Sequence, residues 1–127
     1  MKILSFILLL SFQSIHSQSI KAIFDAIVKS DQVYLESNFA ATVEFAYNQD
    51  IQSLDHKAAA KKLIELVSLP GTRNYKISHE SITKGKSSSM GIGSLTIGSQ
   101  KFRIYITYTI EAGKNLISDI KIEKDEL

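Results

Sequence analysis

Ile20, Ile23, Phe24, Ile27 and Val28 recur at helical spacing, with Lys21, Asp25 and Lys29 between them. That is one apolar stripe on an amphipathic helix, the kind that covers a core. Ser30-Asp31 interrupts it, and Asp31 is placed to cap a short second helix carrying Val33, Tyr34 and Leu35. From Phe39 the period changes to two. Phe39, Ala41, Val43, Phe45 and Tyr47 fall on one face, and Ala40, Thr42, Glu44 and Ala46 on the other. Asn48-Gln49-Asp50 reads as a turn. Asp55 then caps a helix reaching about Val67, with Ala59, Leu63, Leu66 and Val67 inward and Lys57, Lys61, Lys62 and Glu65 in water. Leu69-Pro70-Gly71 stops it.

Everything beyond is strand. Arg73 to Thr83 carries Tyr75, Ile77 and His79 at alternate positions, and a polar turn around Gly85 leads to a strand from Met90 to Ile97. After Gly98-Ser99, Lys101 to Ile110 alternates strictly, with Phe102, Ile104, Ile106, Tyr108 and Ile110 on one face and Lys101, Arg103, Tyr105, Thr107 and Thr109 on the other. Asn115 to Glu123 closes the sheet with Leu116, Ile120 and Ile122. Helices first and strands last predict an α+β fold, with N-terminal helices packed on one face of a strongly curved antiparallel sheet. One face of that sheet is dry and the other wet. No repeat or linker divides residues 18–127, which read as one domain.

The first 17 residues have a different character. Met1-Lys2 is a short basic start, Ile3 to Phe12 is apolar apart from Ser5 and Ser11, and Ser17 is a small residue at the cut. This is the order of a secretory signal peptide, and an apolar run of about ten residues is half what a spanning helix needs. Cleavage after Ser17 leaves Gln18 first, and the chain without Lys2 carries 14 Lys and Arg against 13 Asp and Glu. A balance so near neutral argues against a nucleic-acid partner, and nothing later in the sequence is apolar enough for stable membrane insertion. The chain has no Cys, so it has neither disulfides nor thiolate metal sites, and its core alone must hold it. The expected destination is the bacterial periplasm or secretion. The final Lys124-Asp125-Glu126-Leu127 spells an ER-retention signal, which makes an ER-lumenal resident the alternative for a eukaryotic source.

Several pieces carry a resemblance: Thr42-Val43-Glu44-Phe45, the helix near Lys57-Ala58-Ala59, Tyr75 to Glu80, Gly91-Ile92-Gly93-Ser94-Leu95-Thr96, Phe102-Arg103-Ile104-Tyr105-Ile106, and Ile117 to Glu123. In this order they resemble the domain of unknown function 4783 family of exported Bacteroidota-type proteins, within the nuclear-transport-factor-2-like (cystatin-like) superfamily. The resemblance covers nearly all of residues 18–127. It implies a cone: a bent sheet wrapped around the first helix, often with a pocket at the open end. It implies no activity, since folds of this kind host many. Similar members end in comparable charged residues, so the final tetrapeptide reads as coincidence.

Enzymes of that superfamily such as ketosteroid isomerases place an acid inside the cone. Strand alternation here turns Glu44, Glu80, Asp119 and Glu123 away from the core, and Asp25 lies on the polar side of its helix. The side chains left for a cavity are Tyr47, His79, Tyr108 and Ser118. His79 with Tyr47 or Tyr108 is the arrangement a small pocket enzyme would use, whereas a lone His on a half-buried strand is more often a hydrogen-bonded filler. Gly85-Lys86-Ser87 lacks the earlier glycine of a phosphate loop, and Gly91-Ile92-Gly93 sits inside a strand, where glycine allows bending or close approach of a helix. His56 and His79 are too few for a zinc site. Lys84, Lys86, Lys101 and Arg103 form a basic stretch best read as a solvated face.

These readings lead to a small exported non-enzymatic module that binds a hydrophobic ligand or an envelope protein and needs no cofactor or metal. A homodimer through the outer sheet face, where Tyr105, Thr107 and Thr109 lie, is a further expectation.

Overall fold

The computed structural model of the chain describes residues 20–81 and 88–125. The expected leader, the turn with Lys84 and Lys86, and Glu126-Leu127 of the tail lie outside the described residues. Helix α1 (Ile20–Lys29) buries Ile20, Ile23, Phe24, Ala26 and Ile27, the stripe its sequence spacing predicts. It ends at Ser30, which adopts a left-handed φ of 57°. There the Ser30 and Asp31 amides donate to the Ile27 and Ala26 carbonyls at 3.1 and 2.8 Å, satisfying groups the helix leaves open. Asp31 caps α2 (Gln32–Asn38) by accepting from the Tyr34 amide at 3.2 Å, and Asp55 caps α3 (His56–Leu66) by accepting from Ala58 at 2.8 Å. Among the described residues, no helix is long and apolar enough to cross a membrane.

The strands are β1 (Phe39–Tyr47), β2 (Asp50–Asp55), β3 (Arg73–Ser81), β4 (Ser88–Ile97), β5 (Gln100–Glu111) and β6 (Lys114–Lys124). They form one open sheet in the order β2-β1-β6-β5-β4-β3. Helices α1 and α3 lie on one face, over β3 and β1 respectively, with α2 between them. The architecture is α+β, with the helices on one face, as the sequence predicts. The sheet itself is mixed, because β1 runs parallel to β6 while every other pair is antiparallel. No hairpin can join a parallel pair, so the chain crosses from one side of the sheet to the other between β2 and β3, by way of α3.

Three irregularities change which residues point inward. In β1 the register with β6 slips between Phe39 and Glu44, so Ala40 is buried and Ala41 is exposed, the reverse of simple alternation. In β3, Ser78 is an extra residue between the pairs Ile77–Gly93 and His79–Ile92. In β6, Ser118 is extra between Asp119–Thr107 and Ile117–Tyr108, and its hydroxyl donates to the Thr107 carbonyl at 3.4 Å. Such bulges bend and twist a strand, which a cone-shaped sheet requires.

The interior is packed. Ile20 and Phe24 press directly on the glycines of β4: a Cβ on Gly93 would stand 2.7 Å from Phe24 Cζ, and one on Gly91 would run into the Ile20 side chain. Of the two sequence readings of these glycines, bending or close approach of a helix, the contacts show the close approach. At the other end of α1, Arg73 Nη1 donates to the Val28 carbonyl at 3.1 Å and to Ser30 Oγ at 3.0 Å. Helix α1 therefore runs antiparallel to β3, and a cation meets its negative end.

Candidate functional site

Opposite the helices, the outer face of the sheet is organised in rows by the strand register. One row runs Ile92, Tyr105, Lys121, Ala46 and Ile51 across β4, β5, β6, β1 and β2. The next runs Met90, Thr107, Asp119, Glu44 and Ser53 across the same strands. Apart from Ile92 and Ser53, these residues line a depression of about 530 Å³, with Ala46, Ile51, Met90 and Tyr105 supplying apolar surface and Glu44, Asp119 and Lys121 supplying charge. Ile51 and Met90 belong to strands separated by three others yet border the same hollow. The sheet is thus concave outward along that line, as the saddle shape of a twisted sheet allows.

Ile51 is 62% exposed and Met90 38%, two of the four exposed large apolar side chains among the described residues, and these two border one hollow. The Lys121 ammonium stands over the Tyr105 ring, 5.5 Å from its centroid, and pairs with Glu123 at 3.3 Å. Next to it, the Tyr105 hydroxyl and then Asp125 hold the Arg103 guanidinium further toward its charged form; the Arg103–Asp125 pair measures 3.9 Å.

The three residues singled out by the sequence do not share a cavity. Tyr47 is half-buried at the β1–β2 turn, packed against the core. His79 is exposed, and the Ser78 bulge turns it to the outer face beside Ile92. The same bulge brings Glu80 opposite Gly91, onto the side of the sheet that α1 covers, so Glu80 does not point outward as plain alternation predicts. Tyr108 is on that inner side, 4% exposed. Its hydroxyl is the one buried side-chain polar atom among the described residues without a hydrogen-bond partner. Burial first, then the nearby Glu80 and Tyr34, push its pKa up, so it stays protonated. His79 and Tyr108 thus lie on opposite faces.

A second polar cluster ties α1 to β3. The Tyr75 hydroxyl donates to Asp25 Oδ1 at 2.6 Å, and Lys21 pairs with Asp25 Oδ2 at 3.0 Å. The Tyr75 bond, then Lys21, hold the Asp25 carboxyl below its usual range. Among the described residues no group of three or more His, Cys, Asp and Glu is placed to hold a metal ion.

The sequence matches a known family model, DUF4783, described as a domain of unknown function, over residues 20–123. The chain belongs to the DUF4783 family. Two solved DUF4783 proteins are similar to it over most of its length. The one from Bacteroides uniformis is 17% identical, with a TM-score of 0.75 over 87% of this chain and 100% of that one. The one from Bacteroides fragilis is 24% identical, with a TM-score of 0.72 over 85% of this chain and 100% of that one. An NTF-2 like protein of unknown function from Silicibacter pomeroyi is 13% identical, with a TM-score of 0.64 over 84% of this chain and 89% of that one. The DUF4783 chain therefore has the nuclear-transport-factor-2-like fold that its sequence resemblance implies. No curated protein matches it.

Outward-facing Ile51, Met90, Glu44 and Asp119 escaped the sequence reading as a group. Each stands on a different strand, and only the pairing of five strands, from β2 through β1, β6 and β5 to β4, brings them together.

Proposed function

We propose that this DUF4783 protein is an exported, non-enzymatic interaction module whose docking surface is the outer face of the sheet. The observation that carries the reading is the contrast between the two faces. Inside, Ile20 and Phe24 fill the space against β4; outside, an open hollow of about 530 Å³ exposes Ile51 and Met90. A packed interior favours a partner that docks on the surface over a hydrophobic ligand enclosed in the cone. The separation of His79 from Tyr108 by the sheet weighs against a pocket enzyme built on that pair. Export rests on the signal-like residues 1–17, and the Bacteroides relatives favour a bacterial envelope over an ER lumen.

The test is the native mass of the full chain, expressed with its own leader and recovered from the exporting compartment. The expected result is loss of residues 1–17 together with extra mass from a bound partner, and that extra mass disappears when Ile51 and Met90 are both changed to Glu. Extra mass that survives those changes but is lost with Tyr108→Phe would place the binding site inside and overturn the reading.

A further inference from the structure

Resting on the reading of residues 1–17 as a leader cut after Ser17, we infer that the exported chain closes its first residue into a ring, converting Gln18 to pyroglutamate. Gln18 follows Ser17 directly, so that cut makes it the N-terminal residue. A terminal glutamine carries its own electrophile. The free α-amine attacks the side-chain amide carbon, a new C–N bond closes a five-membered lactam, and the side-chain nitrogen leaves as ammonia with the proton the amine gives up. One C–N bond forms and one breaks, with no oxidant, cofactor or second substrate. The ammonium that cleavage creates is thereby replaced by a neutral lactam.

Helix α1 makes both the charge and the free end costly at this place. It begins at Ile20, two residues on, and its first turn holds no acid. Lys21, a cation of that turn, is paired with Asp25 at 3.0 Å. Two residues of chain span about 7 Å at most, so a charge on the Gln18 nitrogen acts on the positive pole of the helix from within that distance of the Ile20 amide. A further cation there opposes the macrodipole, and the lactam removes it. Ile20 is itself 1% exposed, and its side chain fills the space over Gly91 of β4. Gln18 and Ser19 are all that separate a free amine from the core. An aminopeptidase needs that amine, so the lactam stops trimming before it reaches the first residue of the α1 stripe.

Intact-mass measurement on the full chain, freshly recovered from the exporting compartment, tests this with and without Gln18→Asn. Asparagine keeps the amide but is one carbon short of a five-membered lactam. The expected parent mass is that of residues 18–127 less about 17 Da, the ammonia lost. Stepwise N-terminal degradation should release nothing from it until a pyroglutamate-removing peptidase is added. Gln18→Asn is expected at its full mass. It should yield to an aminopeptidase that leaves the parent intact, with trimming stalled at Ile20, and should melt a few degrees lower. Residues 1–17 still in place would overturn the leader reading and this inference together. Their loss with a free, sequenceable Gln18, or a cut that leaves another residue first, would overturn the inference and leave export standing. A lactam that forms only on storage of the purified chain would also overturn it, as would parent and variant equally open to the aminopeptidase.

Discussion

The Tyr75 hydroxyl and the Asp25 carboxylate meet at 2.6 Å and pin the outermost strand of the sheet to the first helix. The Tyr75 ring also stacks on Phe24, 5.4 Å between centroids, so one side chain joins the polar surface of α1 to its apolar stripe. This link is sensitive to pH in both directions. Asp25 has a folded pKa below its ordinary 3.8, so its contribution is present above that value and disappears as pH falls through the depressed one. Tyr75 has a pKa raised above 10.0, chiefly by the bond to Asp25, so its contribution is present below that value and disappears as pH rises through the raised one. Tyr75→Phe is therefore expected to lower the melting temperature at neutral pH and to match the parent in strong acid. Melting curves from pH 2 to 8 check this; a constant gap across the range would assign the loss to packing alone.

Tyr108 makes the opposite prediction. Its buried hydroxyl has no partner among the described residues, and an unsatisfied buried polar group costs about 1–3 kcal/mol. Tyr108→Phe keeps the ring and removes that cost, so a gain on the order of 1 kcal/mol is expected. In a domain of this size that is a rise of roughly 4–8 °C. A fall in melting temperature would mean that the hydroxyl is satisfied in solution.

Gly93 tests the packed interior. A methyl group there would stand 2.7 Å from Phe24 Cζ and 3.0 Å from the Lys76 carbonyl oxygen. Gly93→Ala should cost about 1–3 kcal/mol by overpacking. Adding Phe24→Leu should make the two changes less damaging together than their sum, as a double-mutant cycle in urea would show. Simple additivity would mean that the backbone, not Phe24, takes up the strain.

Asn48 holds the β1–β2 turn with φ at 55°. Its amide donates to the Ile122 carbonyl at 2.8 Å, and its side-chain oxygen accepts from the Lys124 amide at 3.1 Å. Asn48→Gly keeps the left-handed backbone but loses the side-chain bond. Asn48→Ala loses the bond and adds strain, which costs roughly 1–2 kcal/mol per left-handed residue. Chemical denaturation should rank the parent above Gly and Gly above Ala; Ala equal to Gly would show that backbone strain is negligible here.

The elements legible from sequence were those whose signal is local. The stripe from Ile20 to Ile27, the caps Asp31 and Asp55, and the alternation from Phe102 to Tyr108 each depend on residues within a turn or two of one another. Strand β2 was not legible, because Asp50–Asp55 has no sustained alternation and is a strand by virtue of pairing with β1. The direction of Glu80 failed for a related reason. A period of two predicts its face only while the register is unbroken, and Ser78 breaks it.

Spacing along the chain thus predicted the helices and most of the strands, and the ordered sequence pieces carried the resemblance to one family. The parallel placement of β1 beside β6, the bulges at Ser78 and Ser118, and the outer hollow between Ile51 and Met90 were decided only by the tertiary structure. Hydrophobic period is written along the chain and reports which residues avoid water. Strand order and register are set by partners dozens of residues away, where loop closure, side-chain volume and backbone hydrogen bonding must all be satisfied together.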